Sequence, residues 1–183
     1  GRDAVAAQHE LVEHHVGLVA TNDNQPQAQT AAELLDVLHL LWPLADGEID
    51  EIGERQAIDA LAVLPNAEGL PALARLVRFE SAPLRSKQAG MRAIEGLVKR
   101  KTIDQDVVES VERTLGQSTR PGAEWLRVAL RRPVDPAKAI ADWGKLVEEE
   151  RSTYRTYPQR SHVELLRAML RVEADWLRDL DRQ

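Results

Sequence analysis

The segment Ala57-Ile58-Asp59-Ala60-Leu61 returns as Ala93-Ile94-Glu95-Gly96-Leu97, 36 residues later. The same shift carries Leu34 onto Leu70, Val37 onto Leu73, Leu40 onto Leu76 and Leu41 onto Val77. An apolar pattern kept across two consecutive helices marks a structural period rather than a chance match. A third, fainter copy follows at a shift of 38, where Val108, Val111 and Leu115 take the places of Leu70, Leu73 and Val77. Leu126, Ala129 and Leu130 continue it in a second helix. Helical pairs of this length cannot bury their apolar stripes singly, so neighbouring pairs are expected to share one core.

Outward from the repeat, apolar spacing stays helical and no stretch reads as a strand. A helix over residues 3–19 is followed by a polar linker at 21–27. The capping box Thr30-Ala31-Ala32-Glu33 then opens a helix that ends near Pro43. Pro83 and Pro136 stand where first-turn prolines belong, the second behind the N-cap Asp135. Thr102-Ile103-Asp104-Gln105 and Ser161-His162-Val163-Glu164 read as further capping boxes, giving helices near 103–115, 122–131, 137–151 and 162–180. Residues 152–158, with Tyr154 and Tyr157, are expected to form a loop after the acidic helix end Glu148-Glu149-Glu150. In the last helix Val163, Leu166, Leu170, Leu177 and Leu180 are assigned to the inside. Arg167, Arg171, Asp175 and Arg178 are assigned to the outside, with an Arg171–Asp175 pair.

Gly69-Leu70-Pro71-Ala72-Leu73-Ala74-Arg75-Leu76 resembles the first helix of a HEAT/armadillo-like repeat. Pro83-Leu84-Arg85 with Ala89, Ala93, Ile94 and Leu97 resembles the second. The resemblance covers residues 32–99 well and extends more weakly to 132. It implies an all-α fold, a right-handed α–α superhelix of about eight helices. Residues 1–29 form an N-terminal helix and linker, 30–132 the HEAT-like repeats, and 133–183 a helical pair capping the array. A plain helical bundle is the structural alternative.

Composition narrows the function. Among the 183 residues 24 Lys and Arg stand against 30 Asp and Glu, a net charge of −6, which argues against a general nucleic-acid binder. There is no Cys, hence no disulfide framework, thiolate nucleophile or zinc finger. No apolar run approaches the roughly 20 residues of a membrane span, so no membrane insertion is expected. The sequence begins at Gly1 without an initiator Met and is read as cut, processed or an expressed segment; no signal peptide is visible, and localisation stays open.

Reactive constellations are few. His9 and His14 flank Glu10 and Glu13, but histidines five apart point away from each other on a helix, so a surface His–Glu pair explains them better than a metal site. His39 lies among leucines and is expected to be hydrogen-bonded in the core; His162 reads as helix-start chemistry. Trp42, Trp125, Trp143 and Trp176 are assigned to core packing. No phosphate loop, nucleophile elbow or acid–base pair appears, so no catalytic residue, metal or cofactor is assigned and the chain is read as a non-enzyme. Arg85, Gln88, Arg92, Glu95 and Lys99 recur at spacings of three and four on one helix face, opposite Ile94, Leu97 and Val98. Gln56 and Asp59 before them, and Glu124, Arg127 and Arg131 after them, are their repeat equivalents. In a HEAT-like stack such second-helix residues line the concave face. The expected function is therefore a scaffold that binds a protein or peptide partner through Arg85, Gln88, Arg92, Glu95 and Arg127, since arginine holds carboxylates with two hydrogen bonds. The alternatives are a HEAT-like enzyme of DNA-base glycosylase or chromophore-lyase type, and a structural or oligomerisation spacer.

Overall fold

A computed structural model describes residues 51–64, 67–80, 82–100 and 102–182. The expected helices over 3–19 and 30–43, the linker, His9, His14, His39 and Trp42 lie outside the described residues. Within these residues the chain is all-helical, with seven α-helices, one π-helical turn and no strand. They are α1 Glu51–Val63, α2 Leu70–Arg75, the π turn Leu76–Glu80, α3 Pro83–Val98, α4 Gln105–Leu115, α5 Pro121–Arg131, α6 Pro136–Thr156 and α7 Arg160–Leu180.

The helices form two rows. α1, α3 and α5 lie side by side, while α2 with its π turn and α4 pack behind them. Ala57, Ile58 and Leu61 in α1 are buried, as Ala93, Ile94 and Leu97 are in α3. Asp59 and Glu95 are half-buried at matching places. Two arginines tie elements one period apart. Arg100 donates to the carbonyl of Leu64 just after α1, 36 residues back. Arg78 donates to the carbonyl of Thr114 in the last turn of α4, 36 residues on, at 2.9 Å. A cation against the carbonyls at a helix end satisfies acceptors the helix itself leaves open. Burial of Arg100 lowers its pKa from the ordinary value.

Small residues set the row spacing. A Cβ on Gly122 of α5 would stand 2.0 Å from the carbonyl oxygen of Ser86 in α3, and one on Gly90 would stand 2.6 Å from Gly122. The two backbones therefore touch at this crossing.

Several local expectations are corrected. The helix expected over 137–151 runs on to Thr156, so Glu148, Glu149 and Glu150 lie mid-helix and the tyrosine segment is mostly helical. Asp135 caps it as expected, its carboxylate accepting from the Lys138 amide at 3.1 Å. The capping boxes at 102–105 and 161–164 do not form: α4 and α7 start after Asp104 and Gln159, neither of which makes a side-chain cap bond.

The assignment of α7's inner face also changes. His162, Leu165, Ala168, Met169, Val172 and Trp176 are buried, whereas Leu170, Leu177 and Leu180 are 40%, 45% and 37% exposed. α7 carries two adjacent apolar stripes, and the one holding Trp176 turns inward because it meets a prepared surface. Trp143 of α6 lies between Trp125 and Trp176, with ring centroids 6.3 and 5.1 Å apart, and its indole N–H donates to the Met169 carbonyl at 3.1 Å. Each aromatic pair adds about 1 kcal/mol beyond its area burial. Outside, Asp175 pairs with Arg178 rather than Arg171.

Gly122→Ala is expected to lower stability by about 2 kcal/mol, because the added methyl meets backbone that only a helix shift relieves. Gly144→Ala in α6 is the contrast: its Cβ would meet only a Glu173 carboxylate oxygen at 3.4 Å. There the loss of backbone freedom in the unfolded chain raises stability by about 0.5–1 kcal/mol. Urea denaturation of the two variants measures both signs.

Candidate functional site

The polar stripe of α3 reaches the surface as its spacing predicts. Arg85, Gln88, Arg92 and Glu95 are half-buried, while Ile94 on the opposite side is fully buried. Arg92 is the best held. Its Nε is 2.8 Å from Asp59 of α1 and its Nη1 is 2.6 Å from Glu95. Burial alone would lower the Arg92 pKa; the hydrogen bond to Glu95 and the charges of Glu95, Asp59 and Glu164 outweigh it and raise the value.

What makes a site of this stripe is α7, which packs against α3. Between α7 and the α1–α3 pair runs a groove of about 880 Å³. Leu84, Met91 and Leu165 give it an apolar floor, and Arg55, Arg85, Arg92 and Arg171 give it cationic walls. Asp59 and Glu164 are its two carboxylates. Glu164 reaches Arg55 at 3.8 Å and Arg160 at 3.4 Å, both loose contacts on exposed side chains. The Arg171 Nε donates to the Arg167 carbonyl of its own helix at 3.3 Å.

A buried ionic link fixes α7 in this position. Glu150 of α6, only 2% exposed, accepts from Lys87 of α3 at 2.5 Å through one carboxylate oxygen. Its other oxygen is 2.6 Å from Nδ1 of buried His162 in α7. One carboxylate thus joins three helices, and both of its oxygens are satisfied where an unpaired charge would be expensive. His162 is accordingly a core partner of Glu150, not helix-start chemistry.

The structure separates the five sequence-assigned residues. Arg85, Gln88 and Arg92 line the groove, and Glu95 braces Arg92. Arg127 stands in a second depression of about 470 Å³ between α5 and α6, with Glu124, Arg131, Asp142 and Lys145. Its guanidinium donates to the carbonyls of Ser118 and Gly116, both at 2.7 Å, closing the loop between α4 and α5. Arg55, Glu164 and Arg171 were not assigned to the site by sequence, since no local signal shows that α7 closes over α3. Gln56 and Asp59 were reachable as repeat equivalents, and both line the groove.

Among the described residues no three His, Asp or Glu side chains are placed to hold a metal ion, and no helix is long and apolar enough to cross a membrane. No family model, curated protein or solved structure matches the chain.

Removing the shared carboxylate with Glu150→Ala is expected to cost about 3 kcal/mol, because Lys87 keeps a buried, unpaired charge. The triple replacement Lys87→Met, Glu150→Leu, His162→Leu should restore most of that loss. Chemical denaturation of the two variants separates an ionic requirement from a packing one.

Proposed function

We propose that the chain is a non-enzymatic, HEAT-like helical-repeat scaffold whose groove between α1, α3 and α7 binds a protein or peptide partner. The observation that carries this reading is the convergence of Arg85, Gln88 and Arg92, three residues of one helical stripe, on a groove also lined by Leu84, Met91 and Leu165. Such a surface offers a partner both area to bury and fixed hydrogen-bond donors. The repeat assignment draws support from the matching burial of residues 57–61 and 93–97 and from two arginine contacts that each span 36 residues. A right-handed superhelix with the groove on its concave side is the arrangement this reading expects.

A second reading, self-association, is favoured by one observation. Leu170, Leu177 and Leu180 are exposed at spacings of seven and three, the pattern of a helix–helix seam. It expects a dimer that Leu177→Lys returns to monomer, measured by size-exclusion chromatography with light scattering.

For the scaffold reading, Arg92→Glu is the decisive substitution. A partner captured by the wild-type chain from its source cells is expected to be lost by this variant, with helix content by circular dichroism unchanged. Equal capture by both proteins would place the partner surface elsewhere.

A further inference from the structure

The groove is cationic on a chain that is acidic overall, and this asymmetry identifies its occupant. Among the described residues four arginines and two carboxylates line the groove, whereas the whole chain has six more acids than bases. The arginines also differ in commitment. Arg92 is clamped by Asp59 and Glu95, Arg55 has one distant contact with Glu164, and Arg171 makes no ion pair among the described residues. Arg55 comes from α1 and Arg171 from α7, and Leu84, Met91 and Leu165 line the same groove.

We infer that the groove takes a short acidic segment of a partner protein, with one apolar side chain on the Leu84–Met91–Leu165 floor and carboxylates on either side reaching Arg55 and Arg171. This rests on the reading of the groove as the partner site and adds the partner's chemistry. An incoming carboxylate replaces Glu164 at Arg55, a 3.8 Å contact between exposed groups whose loss costs little. It also gives Arg171 the bidentate partner its guanidinium is shaped for. Gln56 on the same wall has a buried amide oxygen that accepts no hydrogen bond, and a peptide N–H satisfies it once the side chain turns outward. A nucleic acid fits less well. Among the described residues no aromatic ring lines the groove for base stacking, and Asp59 and Glu164 interrupt the cationic track a phosphate backbone follows.

The test selects phage-displayed random dodecapeptides on the whole chain, then measures the enriched sequences by fluorescence anisotropy. Enriched peptides are expected to carry Asp or Glu on both sides of Leu, Ile or Met and to bind about tenfold more weakly to the double variant Arg55→Glu, Arg171→Glu. Binding should also weaken as salt rises. Leu84→Glu, checked for folding by circular dichroism, serves as the floor variant. Peptides without acids that are lost with Leu84→Glu but indifferent to the arginine reversals would overturn the acidic preference and leave the groove as a peptide site. Peptides indifferent to all of these variants, or no enrichment above background, would overturn both readings. A twelve-nucleotide single-stranded RNA that binds with the same arginine dependence would overturn the peptide in favour of nucleic acid.

Discussion

The structure depends on how closely α3 lies against its neighbours. Gly90, Gly122 and the Ser86 carbonyl let α3 and α5 meet backbone to backbone, and Gly96 does the same toward α1, where a Cβ would stand 2.4 Å from the Ala62 carbonyl oxygen. Packed on both sides in its row, α3 cannot tilt to accommodate anything else. Its remaining surface is fixed in direction: one side meets α2 and the π turn, and the other carries the arginine stripe. The stripe is rigid because the helix beneath it has no freedom left.

That constraint makes α3 a foundation on which the C-terminal hairpin is built. α6 joins the row through α5 and through the aromatic stack of Trp125, Trp143 and Trp176. Flat apolar contacts are weakly directional, so the register of α7 depends on polar links. These are the Trp143 N–H on the Met169 carbonyl, and Glu150 holding Lys87 and His162 at the same time. Such a buried link adds little net stability over an apolar one, but it discriminates between registers, because any shift of α7 strands a charge. The two apolar stripes of α7 make this discrimination necessary. A rotation of about 100° would present Leu170 and Leu177 to the core in place of Met169 and Trp176, and it would carry His162 away from Glu150.

The same features explain which parts were legible in the sequence. The helices, the prolines opening α3 and α6, and the outward face of α3 are local or periodic signals, and all were readable. Which stripe of α7 faces inward was not, because Leu166, Leu170 and Leu177 repeat as regularly as Leu165, Met169, Val172 and Trp176 do. The choice is made by Glu150 and Trp143 on another helix. Glu150 was equally opaque, as one of three consecutive glutamates whose individual burial depends on where α6 ends. The groove shares this origin: its α3 wall follows from spacing, its α1 wall from the repeat, and its α7 wall only from the tertiary link.

Arg127 shows why repeat equivalence does not transmit function. It occupies the place in α5 that a surface stripe predicts, yet its guanidinium is spent on two loop carbonyls. Arg78 and Arg100 are used the same way, each closing a helix end. Arg78, Arg100 and Arg127 thus hold main-chain oxygens of another element, whereas Arg55 and Arg92 meet carboxylates at the groove. Carbonyls of another element are fixed, so an arginine that reaches across to them is architecture, unlike Arg171, whose 3.3 Å bond stays within its own helix. The carboxylates of Asp59 and Glu95 orient Arg92, while Arg55 has only a loose 3.8 Å contact with Glu164 that an external acid is able to replace. In the proposed complex an entering acid meets Arg92 already in position, while Arg55 and Arg171 are ordered as they bind it.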